Sequence, residues 1–472
     1  MVAVGGFIPL EYWLILWYAH IRYFPWPHPF GMLKEENMNQ DKSSQVLSYR
    51  WLIFAALALA YFFVYFHRLS LSVVASDLAT DFQATAKAVG LLGSLYFYCY
   101  AVMQLPAGLL SDSLGPRKSV TSFLLLAAVG SIVFGLAPTL EIAMIGRVMV
   151  GLGVSLVFIP TMKILSHWFR SREFALMAGI LNAVGGMAVL AATWLLALMA
   201  GWLGWRHSFV VIGILTLVIV ALAWLVVRDR PSDKGWPSIG EIDRSEGEDL
   251  GARKEIPLWQ GVRRVFSEPR FWPLAIWFFL DCGIFFGFGA LWGGPYLMHV
   301  YAMSKLEAGA VLSMIAWGMI VGSPLLGFLS EKILKSRKKV FIICSAVLVL
   351  DMLFINLFPV GLPRPVLYVV FFVLSVAASS VVVVGFTATK ELFPLEIAGT
   401  SVGSVNLFPF LGGAVFMPVM GWVLDAYPRS DSGAYALDAY SAVLLILLAA
   451  SVMCLICTFL IKETFPDPEE ST

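Results

Sequence analysis

The sequence predicts an all-α membrane protein in which twelve transmembrane helices form two pseudo-symmetric bundles of six, and three observations support this. Hydrophobic residues make up 59% of the 472 residues and charged residues only 13%, whereas a soluble domain has about 25% charged residues. The hydrophobic residues fall into twelve blocks, each near the roughly 20 residues that a helix needs to cross about 30 Å of hydrocarbon. One long polar stretch, residues 228–270, separates two sets of six blocks.

The twelve blocks must be helical, because the hydrocarbon layer offers no hydrogen-bond partners to an exposed backbone. A transmembrane β-barrel would show short segments of alternating polarity, and this sequence does not. The predicted spans of the first bundle are 51–76, 88–111, 119–138, 141–165, 172–200 and 206–227. Those of the second bundle are 271–298, 306–330, 339–359, 364–390, 398–425 and 438–462.

These spans divide the chain into five segments. They are an N-terminal segment (1–50), the first bundle (51–227), a central loop (228–270), the second bundle (271–462) and a C-terminal tail (463–472). The N-terminal segment lacks the basic start and the small-residue cleavage site of a signal peptide. We interpret it as a cytoplasmic or interfacial segment, or as residues upstream of a true start at Met32 or Met38.

Lysine and arginine are shared unevenly between the loops on the two sides of the membrane. Nine lie between Arg228 and Arg270, and five more lie between Lys332 and Lys339. The loops on the opposite side hold at most one each. Cytoplasmic loops carry the excess of positive charge, so both termini are predicted to be cytoplasmic in a plasma membrane, such as a bacterial inner membrane.

The two halves repeat a short motif at the end of their second helices. Gly108-Leu-Leu-Ser-Asp112 in the first half corresponds to Gly327-Phe-Leu-Ser-Glu331 in the second half. Duplicated halves around a central site are typical of secondary transporters, because two similar rigid bodies can rock about one site.

The first copy continues as Gly108-Leu-Leu-Ser-Asp112-Ser-Leu-Gly115-Pro-Arg117-Lys118. This run resembles the G-x-x-x-D-x-x-G-x-R-K signature between helices 2 and 3 of the major facilitator superfamily. The resemblance implies that the cluster latches the outward-open state, with Asp112 pairing with cations or a helix N-terminus. The alternative is that Arg117 and Lys118 only set the membrane topology.

The second copy departs from this signature, because Leu334 stands where the turn glycine would be. A weaker latch is therefore expected around Gly327 and Glu331. Helix 4 contains Arg147-Val-Met-Val-Gly-Leu-Gly153, which resembles the superfamily's R-x-x-x-G-x-G signature. An arginine inside an apolar helix costs about 2.5–3.5 kcal/mol on insertion scales, so Arg147 is expected either to form structural hydrogen bonds or to take part in proton coupling.

Helix 1 contains Tyr65-Phe-His67-Arg68-Leu-Ser-Leu-Ser72. This run resembles the Y-x-D-R-x-x-L-S pattern of the organic anion:cation symporter branch, except that His67 replaces the aspartate. The guanidinium of Arg68 is a planar fork suited to a carboxylate or phosphate, so we predict that it binds an anionic substrate group; the alternative is a buried pair with an acid such as Asp77. His67 titrates near neutral pH, so it is a candidate proton carrier and substrate contact, or a hydrogen-bonded core residue.

Other polar and aromatic residues complete the predicted site. Asp281 in helix 7 is a candidate proton or sodium site, or a partner for Arg68. Three amides within helices either bind substrate or join helices, and aromatic residues on helices 1, 2 and 7 either line the cavity that the resemblance implies or serve as packing. These predicted substrate contacts are Gln104, Asn182, Asn406, Tyr65, Tyr96, Tyr100, Trp292 and Tyr296.

The sequence thus predicts a secondary active transporter that works as a symporter by alternating access. Its expected substrate is a small organic anion, and its transport is expected to be coupled to H⁺ or Na⁺. An amino acid or dipeptide carrier, or a drug or siderophore exporter of the same superfamily, is the alternative. A receptor without transport activity is disfavoured, because the loops are too short to form a signalling domain.

Enzymes and ATP-driven pumps are not expected. The sequence has no G-x-x-x-x-G-K-[ST], H-E-x-x-H or nucleophile-elbow motif. Its five cysteines are scattered in apolar blocks, as is typical of packing residues, and a net charge of +1 does not favour nucleic acid. The expected partners are the substrate, the coupling ion and the lipid bilayer, with no cofactor or metal, and the chain is expected to be a monomer.

Overall fold

The computed structural model describes residues 29–242, 258–430 and 433–465. Eleven stretches of these residues are long and apolar enough to cross a membrane. One of them, Arg172–Val226, has 55 residues and turns at Gly204, where φ is 74°. Because 55 residues are about twice the length of a span, this stretch holds two helices. The described part of the chain therefore contains twelve membrane helices, α1–α12, as predicted.

The first bundle contains α1–α6. Their bounds are α1 Pro29–Leu69, α2 Ala86–Met103 and Pro106–Leu114, α3 Pro116–Leu136, α4 Leu140–Ser155 and Phe158–Trp168, α5 Ser171–Leu190 with its continuation to Gly204, and α6 from there to Val226. Helix α1 starts before the predicted residue 51, because no proline or glycine between residues 32 and 50 ends it. The interpretation of residues 1–28 lies outside the described residues.

The second bundle contains α7–α12. Their bounds are α7 Phe271–Ile284, Phe285–Trp292 and Gly293–Val300, α8 Lys305–Leu312 and Met314–Phe328, α9 Arg337–Leu357, α10 Arg364–Leu374, Ser375–Ser380 and Val382–Leu392, α11 Ala398–Asp425 and α12 Leu437–Leu460. The middle segments of α7 and α10 are π-helical. A short helix, Leu258–Phe266, precedes α7 in the central loop.

The two bundles meet along α2 against α11 and α5 against α8. A Cβ atom at Gly90 of α2 would lie 2.6 Å from the carbonyl oxygen of Met417 on α11. A Cβ atom at Gly186 of α5 would lie 2.6 Å from the side chain of Ile320 on α8. Small residues of this kind let helices approach closely within a membrane.

The molecule has two ends, which we name by the chain termini. The terminal end holds the start of α1, the central loop and the end of α12, and the distal end is the opposite one. At the distal end, Lys305 Nζ lies 2.5 Å from Asp77 Oδ2 across the bundle interface. The Asp425 carboxylate at the end of α11 accepts hydrogen bonds from the backbone N–H groups of Ala86 and Lys87 at the start of α2, at 2.8 and 2.7 Å.

Candidate functional site

A cavity of about 490 Å³ lies between the bundles. Its floor is formed by the last turns of α1, and its walls by the terminal-end parts of α4, α5, α8 and α10. Since the bundles are joined at the distal end, the cavity opens toward the terminal end. The lining side chains that carry the argument below are Tyr61, Tyr65, Arg68, Tyr100, Phe158, Asn182, Cys282, Phe286, Asn406 and Phe410.

Arg68 lies on the floor of this cavity, held by aromatic rings. Its guanidinium carbon lies 4.4 Å from the ring centroid of Tyr65, 4.9 Å from that of Phe410 and 5.2 Å from that of Tyr100. Its Nε atom has no hydrogen-bond partner among the described residues. Aromatic faces attract a cation without neutralising its charge, so Arg68 retains donors for a ligand.

The end of α1 explains how the chain presents this arginine. Arg68 is in the last turn of the helix, where unpaired backbone carbonyls favour a cation. The chain then tightens into a 3₁₀ turn, Ser70–Val73, in which the hydroxyl of Ser70 donates to the His67 carbonyl at 3.1 Å. This turn brings the chain to the distal interface, where α7 approaches so closely that a Cβ at Gly294 would lie 1.7 Å from the Ser72 oxygen.

Arg68 is the one formally charged side chain among the described residues that line the cavity. The other polar groups in the wall are amides, hydroxyls and the thiol of Cys282, and no aspartate or glutamate of the described residues belongs to it. The predicted alternative, a buried pair with Asp77, is not formed, because Asp77 pairs with Lys305. The cavity therefore presents one uncompensated positive charge in aromatic surroundings, a setting that attracts an anion.

Five of the nine predicted contacts besides Arg68 lie in the cavity wall or directly beside it. Tyr65, Tyr100, Asn182 and Asn406 line the cavity. Gln104 lies beside it, and its Oε1 atom accepts a 2.7 Å hydrogen bond from Asn406 Nδ2 on the other bundle. This amide pair links α2 to α11 and orients the Asn406 carbonyl.

Four predicted substrate contacts lie elsewhere in this structure. Tyr96 donates to the Val64 carbonyl, Trp292 to the Met417 carbonyl and Tyr296 to the Pro359 carbonyl, each within its own bundle. His67 is fully buried in the first bundle, and neither ring nitrogen has a hydrogen-bond partner among the described residues. Because successive helical residues differ by about 100°, Arg68 faces the cavity while His67 does not.

The other two predicted coupling residues are also outside the cavity wall. Arg147 is buried, and its guanidinium donates to the His67 carbonyl at 3.4 Å while lying over the Tyr96 ring. This is the structural alternative considered for Arg147. Asp281 is fully buried within the second bundle, and neither of its carboxylate oxygens has a hydrogen-bond partner among the described residues. It therefore does not pair with Arg68.

The predicted gate residues of the first half lie together at the terminal end. Asp112 Oδ1 lies 2.5 Å from Lys163 Nζ on α4 of the same bundle. Gly115 has a φ of 85°, which favours glycine, and provides the turn between α2 and α3. Arg117 donates its backbone N–H to Asp229 at 2.6 Å and its side chain to the Trp224 carbonyl at 2.5 Å.

The remaining gate residues show how the two copies differ. Lys118 lines a groove between α3 and α6. A Cβ at Gly108 or Gly327 would meet no atom of the described residues within 4 Å, apart from its chain neighbours and its own helix backbone. In the second copy, the turn is made by Lys335 with a φ of 45°. Glu331 lies 3.7 Å from Arg337, whose stronger contact is to Glu391 at 2.9 Å.

Sequence reasoning missed several residues of the cavity. Tyr61 follows from the helical spacing of Tyr61, Tyr65 and Arg68, which places all three on one face of α1. Phe286 and Phe410 have no comparable signal, because α7 and α11 of the second bundle bring them to Arg68 only in the folded state. The apolar block around Cys282 predicts a packing role for this thiol, and the structure places it in the cavity wall as well.

A family model described as Major Facilitator Superfamily matches residues 57–292 and 279–472. The chain belongs to this superfamily. Superfamily members with similar sequences include the "probable galactarate/D-glucarate transporter" of Bacillus subtilis strain 168, 25% identical over 93% of this chain and 99% of the relative. The protein of the same name from Escherichia coli K12 is 23% identical, over 88% of this chain and 95% of the relative.

A third superfamily relative is the "probable sulfoacetate transporter" of Cupriavidus necator, 23% identical over 81% of this chain and 89% of the relative. Among solved structures, a bacterial homolog of the human lysosomal transporter Spinster, in an inward-facing and occupied conformation, has a TM-score of 0.71 at 18% identity and covers 88% of this chain and 97% of its own. The superfamily and these relatives are transporters rather than enzymes, and this chain is a multi-pass integral membrane protein.

Proposed function

We propose that this protein is a secondary transporter of a small organic anion and that Arg68 binds the substrate's carboxylate on the floor of the cavity. The observation that carries the proposal is the guanidinium of Arg68, which is flanked by Tyr65, Tyr100 and Phe410 and has no acidic partner among the described residues. The relatives named for galactarate, D-glucarate and sulfoacetate carry anionic substrates in their names, which supports the same class.

The single cation also bears on the charge of the substrate. A second carboxylate would meet the amides of Asn182 and Asn406 rather than a cation, and a charge buried without a partner is costly. We infer that a monoanion binds more tightly than the corresponding dianion. D-gluconate and D-glucarate, which differ by one carboxylate, test this, and benzoate tests an aromatic body against the aromatic wall.

The contacts between the bundles support alternating access. The distal end is held closed across the interface, whereas the cavity opens toward the terminal end. The excess of lysine and arginine at the terminal end favours a cytoplasmic location for it, so this conformation corresponds to an inward-facing one. We propose that a monomer works in a plasma membrane with both termini cytoplasmic, and that a symported H⁺ or Na⁺ drives accumulation.

A zwitterionic substrate is less well supported than an anion. An amino acid or dipeptide would bring an ammonium group, which prefers a carboxylate or several oxygen acceptors. No acidic side chain belongs to the described cavity wall, and the nearby aromatic faces are already occupied by Arg68.

Uptake by reconstituted Arg68→Ala tests the proposal. Truncating one partner of a buried charge pair costs about 2–5 kcal/mol. The concentration of D-gluconate, D-glucarate or benzoate that gives half-maximal uptake should therefore rise by about thirtyfold or more. Arg364→Ala is the matched control, because Arg364 lies on the distal surface and pairs with Glu307. Wild-type uptake of these acids by a folded Arg68→Ala protein would contradict the proposal.

A further inference from the structure

We propose that Asp281 is the proton-carrying residue of this transporter and that it holds its proton inside the second bundle, outside the substrate cavity. This inference rests on the proposed function and assigns its coupling ion. The chemistry is a simple protonation. During one transport cycle the Asp281 carboxylate takes up one H⁺ from water on one side of the membrane and releases it to water on the other side.

The burial of Asp281 is the first observation behind this. Its side chain is completely inaccessible, and both carboxylate oxygens lack a hydrogen-bond partner among the described residues. An ionised carboxylate in apolar surroundings without a partner is so unfavourable that the group takes up a proton instead. Asp281 is therefore neutral in this conformation.

The surroundings of Asp281 contain no compensating cation among the residues that the structure describes. Within that part of the chain, the titratable side chains that interact with it are three thiols: Cys282 on α7 itself, Cys344 on α9 and Cys454 on α12. One turn earlier on the same face of α7, Trp277 donates its indole N–H to the Ser345 hydroxyl at 3.0 Å. No lysine, arginine or histidine of the described residues forms an ion pair with Asp281, so the charge state of this carboxyl group depends on its access to water.

The same surroundings disfavour a sodium ion. Hard cations take several oxygen ligands, and sodium sites in transporters use carbonyls from unwound helix. Helix α7 is a regular α-helix from Phe271 to Ile284. The backbone carbonyls of α7 next to Asp281 therefore accept the hydrogen bonds of that helix and are not turned toward an ion. In the described residues, no group of three or more histidine, cysteine, aspartate or glutamate side chains is placed to hold a metal ion. A proton needs only the carboxyl oxygen.

Helix α7 also provides a way for the Asp281 side chain to move between a buried position and one that water can reach. Cys282, the next residue, lines the cavity, so Asp281 is one helical step of about 100° from the cavity wall. A π-helical segment, Phe285–Trp292, follows directly. Such segments occur at functional sites and hold one residue more per turn. A shift of this segment along α7 would rotate Asp281 toward the water of the cavity, where the proton can leave.

The first experiment does not depend on any substrate. The infrared spectrum of the purified protein at pH 7 should contain the C=O stretch of a protonated carboxyl group, and Asp281→Asn should remove it. Asp351→Asn is the control for a second buried acid, whose Oδ2 atom also lacks a partner; it should leave the Asp281 band in place. Absence of a band that is specific to Asp281 would overturn the proposal.

The second experiment measures coupling in proteoliposomes with radiolabelled D-glucarate and D-gluconate. In the wild type, an alkaline interior should drive accumulation by up to about tenfold per pH unit for each coupled proton. Folded Asp281→Asn, which mimics the protonated group, should keep counterflow exchange and lose this accumulation. Asp281→Glu, which restores an acid, should keep both.

The outcomes separate the two proposals. If the wild type exchanges neither compound, the proposed substrate class fails while the infrared band still decides the state of Asp281. If folded Asp281→Asn still accumulates substrate under a pH gradient, or loses exchange as well, Asp281 is not the proton carrier. Accumulation by the wild type under a sodium gradient at equal pH would also overturn the assignment.

Discussion

The distal and terminal ends of the molecule satisfy their charges in different ways. At the distal end, Asp77 of the first bundle pairs with Lys305 of the second, and Asp425 of the second bundle accepts N–H groups from the first. At the terminal end, Asp112 pairs with Lys163 inside the first bundle. The charged contacts described at the distal end thus link the two bundles, whereas the Asp112 pair at the terminal end lies within one bundle.

This difference has a simple geometric basis in the repeat. Helices α2 and α11 run side by side in opposite directions, and each has an aspartate at or near its end. Asp425 ends α11 and caps the start of α2. We expect Asp112, near the end of α2, to cap the start of α11 when the terminal end closes. The resemblance-based prediction that Asp112 latches the outward-open state is therefore the mirror image of the observed Asp425 contact.

The largest effect on this comparison is expected from Asp425→Ala. Loss of a helix cap costs about 0.5–2 kcal/mol, so the equilibrium should shift by about 2- to 30-fold toward distal opening. Labelling of an introduced distal cysteine by an impermeant maleimide measures the shift. Asp438→Ala, an exposed acid at the same end, is the control. An equal shift in Asp438→Ala, or a larger one in Asp112→Ala, would contradict the assigned difference between the ends.

A smaller effect is expected from the ion pair at the distal interface. The side chains of Asp77 and Lys305 are 29% and 23% exposed, and partly exposed pairs contribute about 0.2–1 kcal/mol. Asp77→Asn, Lys305→Met and the double variant should give a coupling energy in this range in the same labelling assay. Strictly additive effects of the two single variants would show that the pair does not stabilise closure.

The smallest effects are expected from pH, with opposite signs at the two ends. Burial raises the pKa of Asp77, against the opposing effect of Lys305. Glu463 at the terminal end is exposed; partial desolvation of its carboxylate raises its pKa, but hydrogen bonds from Ser336 and from backbone N–H groups outweigh this and lower the pKa. Asp77 therefore stabilises the fold most below the ordinary aspartate pKa of about 3.9, and this contribution is lost as pH rises through its raised pKa.

Glu463 behaves in the opposite way. Glu463 stabilises the fold above the ordinary glutamate pKa of about 4.3, and this stabilisation is lost as pH falls through the lowered pKa of its carboxylate. Melting temperatures of the wild type, Asp77→Asn and Glu463→Gln between pH 3 and 7 measure both. The difference in melting temperature between the wild type and Asp77→Asn should shrink as pH rises. The difference between the wild type and Glu463→Gln should shrink as pH falls. If both differences changed in the same direction with pH, the assignment would be refuted.

Much of the fold could be read from the sequence, because the bilayer imposes helix length and polarity residue by residue. The predicted break between helices 5 and 6 lies at Gly204, where the chain turns. The start of α1 was not predictable from hydropathy, since the polar residues before 51 continue the helix without a membrane-length apolar signal.

The site was harder to predict than the fold. Arg68 could be predicted because residues 65–72 resemble the symporter pattern and because a guanidinium suits a carboxylate; helical spacing could have added Tyr61. In this structure His67 and Asp281 lie outside the cavity wall, and their coupling roles stay predictions. A shift of one residue rotates a side chain by about 100°, and sequence periodicity is too coarse to fix that angle. Phe410 reaches Arg68 from the other bundle, and nothing local in the sequence specifies such a contact.

Protection of Cys282 tests the central claim most directly, because this thiol lies in the wall of the same cavity as Arg68. A maleimide applied from the terminal side should label Cys282 in a variant whose other four cysteines are serine. D-gluconate, D-glucarate or benzoate should slow this labelling when Arg68 is present and should not slow it in Arg68→Ala. The neutral compounds D-glucitol and benzamide should not slow it in either protein. Protection that is equal with and without the Arg68 guanidinium would contradict the account.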